Sequence, residues 1–182
     1  MKFAKYIFVS LMLVTLFGCN DTNETEETIN NSVSVNSSKT EEKKPPVNVD
    51  KKVIQNIDWE ISETFNSGSY VMRGVPEKIS FIDEPFKKSI VKKYMWHFWG
   101  DIPDGNLTVL AIREGGNEIV PALIVPSPED ERFVWTYDSP GGPNNGADAH
   151  LPSNLKLDEK GKWALLVYLG EDYFDNIVVE VS

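Results

Sequence analysis

Cysteine and histidine are scarce in this sequence. Its 182 residues include one cysteine and two histidines. A single cysteine cannot form a disulfide within the chain, so the folded part must be stable from its hydrophobic core alone. So few sulfur and imidazole ligands also exclude the usual Cys/His zinc motifs. We therefore expect no cofactor.

The chain also lacks an excess of basic residues and any long apolar run. Lysine and arginine number 18 against 28 acidic residues, which gives a formal net charge of −10. Such a chain is not expected to bind nucleic acid. The apolar run at residues 6–17 is about twelve residues long, below the roughly 18 needed to span a bilayer. It follows Lys2 and Lys5, as in a secretory signal peptide.

The only cysteine lies one residue beyond this run, in the sequence Leu16-Phe17-Gly18-Cys19. A leucine three residues before the cysteine and a small residue just before it resemble the bacterial lipobox, although Phe17 is bulkier than usual. A lipobox cysteine receives a diacylglyceryl group and becomes the first residue of the mature protein. Residues 1–18 are therefore predicted to be a lipoprotein signal peptide. Cys19 is predicted to anchor the chain to the outer face of the cell membrane.

Residues 19–52 have a different composition from the rest of the chain. Asn, Thr, Ser, Glu and Lys dominate after Cys19, and Pro45-Pro46 lies near the end. Such a segment cannot bury enough apolar surface to offset its ordering entropy, so we predict a disordered polar tether. Residues 53–182 are then long enough for one domain.

Within this domain the apolar residues alternate with a period of two. Strands are predicted at 69–74, 79–82, 90–99, 107–113, 119–125, 132–137, 163–169 and 177–181, and residues 84–93 are the only weak helical candidate. In the strand at 132–137, Phe133, Trp135 and Tyr137 are expected on one face. This pattern predicts an all-β fold, an immunoglobulin-like antiparallel β-sandwich of about seven or eight strands.

One histidine lies in the strand with the most aromatic residues. If Tyr94, Trp96 and Phe98 face the core, His97 faces outward with Met95 and Trp99. A surface or structural role is the simplest interpretation of His97. A methionine and a histidine on one face could also bind a soft metal such as copper, although two ligands are too few alone.

The second histidine lies in an unusual segment at 139–153, whose three glycines and three prolines are expected to exclude regular structure. Its candidate binding residues are Asn144, Asn145, Asp148 and His150. The segment could be a loop held by its own polar side chains, a surface that contacts a partner or a cation site. Asp148, His150 and a serine, Ser139 or Ser153, could instead form a catalytic triad, but no nucleophile motif accompanies them.

Tryptophans offer a further alternative. Trp96, Trp99 and Trp135 are predicted on neighbouring strands. If all three were exposed, they could stack on sugar rings as in carbohydrate-binding sandwiches. Aromatic residues in strands more often belong to the core.

Two strings carry a family resemblance: Tyr94-Met95-Trp96-His97-Phe98-Trp99-Gly100, and the run from Gly141 to Ser153 followed by Gly161-Lys162-Trp163. Together they resemble an uncharacterised family of small surface lipoproteins from Bacillus-type bacteria, classed as a domain of unknown function. The resemblance covers roughly residues 59–182. It implies an immunoglobulin-like fold and a Gram-positive surface, and it implies no activity.

These observations favour a non-enzymatic, membrane-anchored lipoprotein whose domain is a binding or structural module of the cell envelope. Its expected partners are the membrane, through Cys19, and an envelope protein or a wall glycan. The alternatives are a saccharide-binding module, a hydrolase and a metal-binding lipoprotein that uses Met95, His97, Asp148 and His150. The predicted contact residues are Trp99 and His97 with the 141–150 segment.

Overall fold

The computed structural model describes residues 44–127 and 131–182. The predicted signal peptide, Cys19 and the tether up to residue 43 lie outside the described residues. No helix among the described residues is long and apolar enough to cross a membrane. These residues form one short helix, α1 (Lys51–Gln55), and then the strands β1 (Thr64–Ser67), β2 (Tyr70–Val75), β3 (Ile79–Ile82), β4 (Lys92–Phe98), β5 (Leu107–Arg113), β6 (Ile119–Pro121), β7 (Leu123–Pro126), β8 (Glu131–Val134), β9 (Ala149–Leu155), β10 (Gly161–Leu169) and β11 (Asp172–Val181).

The strands form two antiparallel sheets. The seven-stranded sheet has the order β1-β2-β3-β4-β9-β7-β8, and the four-stranded sheet has the order β11-β10-β5-β6. Their facing sides share one hydrophobic core, to which Trp96 and Phe98 contribute from one sheet and Leu165 and Val179 from the other. The predicted immunoglobulin-like β-sandwich is thereby confirmed, with eleven strands in the described ranges rather than seven or eight.

Strand β4 shows why the sequence period of two produces this layering. Successive side chains of a strand point to opposite faces. Tyr94, Trp96 and Phe98 are fully buried in the core between the sheets. The Trp96 ring packs edge-on against Phe81, with ring centroids 5.3 Å apart. His97 therefore points to the other face of the seven-stranded sheet, as the alternation predicts.

One strand predicted at 119–125 is divided between the two sheets. Strand β6 pairs with β5 of the four-stranded sheet, whereas β7 pairs with β8 and β9 of the other sheet. The change occurs at Ala122, which is fully buried. Its carbonyl oxygen accepts a hydrogen bond from the Lys156 backbone at 3.0 Å, which holds the chain at this corner.

The following strand crosses between the sheets in the opposite direction. After β8, the Trp135 carbonyl accepts from Val109 N–H at 3.1 Å, and Tyr137 N–H donates to the Leu107 carbonyl at 2.8 Å. Trp135 packs against the outer face of the four-stranded sheet, whereas Tyr137 packs against the inner core. The prediction that Phe133, Trp135 and Tyr137 share one face is therefore wrong, because Trp135 and Tyr137 pack on opposite sides of the four-stranded sheet.

The outer face of the four-stranded sheet is covered by residues 47–59, which we call the N-terminal strap. Val47, Val49 and Ile57 pack there with Trp59 of the strap, over a second cluster of buried residues. The sheet residues beneath them are Leu110, Ile112, Ala164, Leu166, Tyr168 and Val178. Packed chain therefore begins upstream of the predicted boundary between residues 52 and 53. Val47 and Val49 are apolar residues within a segment that is mostly polar. The overall composition of the segment therefore did not reveal that part of it is buried.

Residues 149–155 form a strand, although proline and glycine predicted irregular structure across 139–153. Strand β9 pairs with β4 over its whole length, with Pro152 opposite Met95. His150 bonds through its backbone to Gly141, on the side away from β4. Pro152 is two residues further on, so its nitrogen faces the same side, and its missing N–H removes no bond to β4. Residues 84–93 contain no helix.

Substitution in the N-terminal strap should destabilise the whole domain. Ile57 of the strap is only 7% exposed, whereas Ile61, which follows the strap, is 43% exposed. We expect Ile57→Ala to lower the free energy of unfolding by about 2–4 kcal/mol, measured by urea denaturation, because it leaves a cavity. Ile61→Ala is the matched control and should change it by less than about 0.5 kcal/mol. Equal effects would show that the strap is not an integral layer.

Candidate functional site

The centre of the unusual segment is a tight β-hairpin, at residues 141–150, which we call the clip hairpin. Asn144 and Ala147 exchange two backbone hydrogen bonds, of 3.1 and 2.9 Å. Between them Asn145 and Gly146 have φ angles of +50° and +83°. Two consecutive positive φ angles define a type I′ turn, for which Asn-Gly is the preferred sequence. The segment predicted to be an irregular loop is thus a rigid hairpin that leads into β9.

His97 lies beneath the tip of the clip hairpin and has no exposed surface. Its Nδ1 is 3.1 Å from the Met95 carbonyl oxygen, which can only accept, so Nδ1 carries the proton. Its Nε2 then accepts from the Asn145 side-chain amide at 3.2 Å. Loss of hydration on burial lowers the pKa of His97, and the nearby His150 lowers it further, against the opposing effect of the Met95 hydrogen bond. His97 is therefore a neutral support for the hairpin.

Three further contacts fasten the clip hairpin to its surroundings. The Trp99 indole N–H donates to the Gly146 carbonyl at 2.8 Å. The Gly100 backbone N–H donates to a carboxylate oxygen of Asp148, also at 2.8 Å. The Ser67 hydroxyl, at the end of β1, donates to the Asn145 carbonyl at 2.8 Å. Each contact joins segments far apart in sequence, so the hairpin is held in one position before any partner arrives.

His150 lies directly opposite His97 on neighbouring antiparallel strands. Because the backbone of His150 bonds to Gly141 instead of β4, the two histidines form the non-hydrogen-bonded type of pair. In this type the Cα atoms approach to about 4.5 Å. The Nδ1–H of His150 donates to the Gly142 carbonyl at 2.6 Å. The two imidazoles are close, and each already supports the clip hairpin.

The structure thus brings together the residues predicted as a binding site, but it uses them mostly in bonds within the protein. They are His97, Trp99, Asn144, Asn145, Asp148 and His150. Among the described ranges, no group of three or more His, Cys, Asp or Glu side chains is arranged to hold a metal ion. His97 also has both nitrogens occupied. A joint metal site would require the clip hairpin to leave its position.

The catalytic-triad alternative finds no support in the positions of the two serines. The Ser139 hydroxyl donates to the Asn106 side chain at 2.8 Å. Ser153 is buried and accepts from the Trp96 indole N–H at 2.8 Å. Ser153 is three residues from His150 on one strand, so the two side chains point to opposite faces of the sheet.

The three-tryptophan platform is contradicted by the fold. Trp96 is completely buried in the core between the sheets. Trp135 packs against the cluster beneath the N-terminal strap. Trp99 is half-buried by the clip hairpin and Phe65, whose ring centroid is 6.2 Å from its own. The three rings therefore lie on different surfaces, because strand alternation and the sheet crossing separate them.

A groove that the sequence did not predict lies at the other end of β4 and β9. It has a volume of about 220 Å³. Its lining is mainly apolar and comes from β6, β8, the chain after β9 and the start of β10: Val120, Pro121, Phe133, Leu157 and Trp163, with Lys156, Asp158 and Glu159. Four separate segments contribute, so no local sequence pattern could reveal it.

The one cation inside this groove is bound by neighbouring side chains in the described structure. The Lys156 ammonium donates to a Glu131 carboxylate oxygen at 2.8 Å and lies 3.7 Å from an Asp158 oxygen. It also lies over the Phe133 ring, 5.6 Å from the centroid. The hydrogen bond to Glu131 is the main cause that raises the pKa of Lys156, so the ammonium stays charged.

Fold and surface together define a small immunoglobulin-like β-sandwich domain with a rigid clip hairpin. The family model described as "Domain of unknown function (DUF4871)" matches residues 49–179, and the chain belongs to this family. A solved structure, described as a "putative lipoprotein" from Bacillus anthracis, is similar with a TM-score of 0.62 and 25% identity, covering 75% of this chain and 99% of that chain. No curated protein matches the sequence. The resemblance to an uncharacterised Bacillus-type lipoprotein family is confirmed.

The burial of His97 predicts a pH-dependent stability. Its pKa is lowered from 6.5 in the folded protein, so the unfolded chain binds this proton more readily. Stability should be full above about pH 6.5 and should fall as the pH drops below it, by up to about 1.4 kcal/mol per pH unit, until His97 itself is protonated in the folded state. Urea denaturation across this range measures the slope. In His97→Gln the slope should be shallower, and an unchanged slope would exclude His97 as its source.

Proposed function

We propose that this chain is an exported lipoprotein, anchored by a lipid on Cys19 to the outer face of the cell membrane, where its domain is a non-enzymatic binding module. The observation that carries the anchoring is the sequence Leu16-Phe17-Gly18-Cys19 after a short apolar run, with no other cysteine in the chain. The description of the Bacillus anthracis neighbour as a lipoprotein supports it. The acidic domain would be repelled by anionic lipid headgroups, which favours a position clear of the membrane surface.

The clip hairpin is the feature that supports a binding role. Rigid loops lose little conformational entropy when a partner binds, so a preorganised hairpin is well suited to recognition. Its turn is fixed from below by His97, Trp99 and Ser67. Pro143 and Asp148 remain exposed on it. An envelope protein or a wall glycan is the partner that the proposed location makes available.

The polar side chains of this site make hydrogen bonds within the protein, and this supports a non-catalytic role for the site. A general base needs a nitrogen or oxygen that can reach a substrate. Both nitrogens of His97 are bonded within the protein, so His97 has no nitrogen left to act on a substrate. The metal-binding alternative has one supporting observation, the cross-strand pairing of the two histidines. Titration of the purified protein with copper and zinc, observed at the two imidazoles by NMR, tests that alternative.

Anchoring is tested by Cys19→Ala in the producing cell. The wild-type chain should incorporate a labelled fatty acid and sediment with membranes. Cys19→Ala should incorporate none and should lose its membrane attachment after the signal is removed, because no acyl chains remain to bury. Ser10→Ala, within the apolar run, is a matched control and should behave as wild type. Labelling of the Cys19→Ala chain would refute the proposal.

Binding by the clip hairpin is tested by cross-linking in intact envelopes. The double variant Pro143→Ala/Asp148→Asn changes its exposed surface, while asparagine keeps an acceptor for the Gly100 N–H. We expect it to reduce capture of a specific component by about tenfold, as for the central residues of an interface. Glu180→Gln, exposed on β11, is the control and should capture normally.

Equal capture by the hairpin variant and the wild type would place the contact elsewhere on the domain. Capture of no component by any chain would contradict the binding-module proposal. Circular dichroism and urea denaturation of each variant would first establish that it is folded.

A further inference from the structure

We infer that the apolar groove between β6, β8 and the start of β10 binds a small organic cation, in which an ammonium group is attached to a short alkyl chain or a single ring. This site is distinct from the clip hairpin, and its test does not depend on the lipid anchor.

Size and lining define the apolar part of this ligand. The groove has a volume of about 220 Å³. A protein cavity of about 150 Å³ binds benzene, so this groove can hold one ring or a chain of about six carbons. The indole N–H of Trp163 is already bonded to the Glu159 carbonyl at 3.0 Å. Trp163 therefore offers only its apolar surface, beside Val120 and Leu157.

The acidic side chains around the groove indicate that the polar part of the ligand is a cation. The carboxylates of Glu131, Asp158 and Glu159 are half or more exposed. Among the described ion pairs, Lys156 contacts Glu131 and Asp158, and Arg113 contacts Glu159. An anionic ligand would meet this excess of carboxylate in a chain whose net charge is −10. A cation is attracted by the same groups.

The side chain of Lys156 is an example, within the protein, of the kind of group that the groove would bind. Its side chain is itself an alkyl chain that ends in an ammonium, and only 17% of it is exposed. The ammonium is held by the Glu131 carboxylate and lies over the face of Phe133. An aromatic face with a carboxylate nearby is a favourable setting for an ammonium. A ligand ammonium would bind at the outer side, toward Asp158 and Glu159.

The test uses the mature chain, residues 19–182, with Cys19→Ala so that neither lipid nor detergent competes. Three probes of similar length are titrated: n-hexylammonium, hexan-1-ol and hexanoate. The indole N–H signal of Trp163 reports on the groove by NMR, and that of the buried Trp96 reports on the fold. We expect n-hexylammonium to shift the Trp163 signal and to bind roughly three- to tenfold more tightly than hexanoate.

Two variants locate the effect. Val120→Phe fills the groove and should abolish the Trp163 shift with every probe. Asp158→Asn/Glu159→Gln leaves the apolar lining intact, and it should bring the affinities for n-hexylammonium and hexanoate to within about twofold of each other. The second variant changes only exposed side chains, so it tests the proposal even if Val120→Phe does not fold.

Three results would overturn the inference. No shift at Trp163 with any probe would show that the groove is not a ligand site. Equal affinity for all three probes, or tighter binding of hexanoate, would exclude selection for a cation. Shifts at Trp99 without shifts at Trp163 would place the ligand at the clip hairpin.

Discussion

Burial of both faces of the four-stranded sheet is the constraint on which the rest of the structure depends. One face packs against the larger sheet, and the other is buried beneath the N-terminal strap. A domain of this size with no disulfide gains its stability mainly from buried apolar surface. Strands β5 and β10 consequently carry apolar residues on both sides, which explains their long buried runs. The family match begins at residue 49, so it includes most of the strap.

The clip hairpin depends on that framework in turn. The inner aromatic residues of β4 fix this strand, and alternation then places His97 and Trp99 on its other face. His97 and Trp99 then hold the hairpin by hydrogen bonds to Asn145 and Gly146. A histidine that looked like a candidate ligand is therefore a buried support of the hairpin. Polar groups in such a position need partners, because an unsatisfied buried nitrogen costs about 1–3 kcal/mol.

The fold was predictable where one local pattern decides the structure. The bounds of β3 and β5 agree with the predicted strands at 79–82 and 107–113, since alternation and clear turns enclose them. Strand β9 was missed because Pro152 argues against a strand, and only the pairing partner reveals that its nitrogen faces away from β4. The strap was missed because its few valines are diluted by polar residues. The Asn-Gly pair at 145–146 was the available signal for the clip hairpin.

The candidate site was predictable in its members but not in their roles. Segments around His97 and Asp148 were recognised as unusual, and the fold brings them into contact. Their burial and bonding depend on the register of β4 with β9, which composition cannot supply. The groove around Trp163 was beyond prediction for a related reason. Its walls meet only because two strand segments change sheets at Ala122 and Trp135.

The way in which the strap joins the domain has a mechanical consequence. Val47, Val49 and Ile57 attach it by side-chain packing, and the Lys162 ammonium donates to the Trp59 carbonyl at 2.8 Å. In the described structure the first backbone-to-backbone bond to the four-stranded sheet comes after the strap, from Ser62 to Val178. Any tension applied at the amino terminus therefore meets hydrophobic contacts and one side-chain hydrogen bond before it meets strand pairing. Such contacts can separate one after another, whereas a strand ladder pulled along its length must break many bonds together. The strap would yield first, and its release would expose the outer face of the four-stranded sheet and weaken the sandwich.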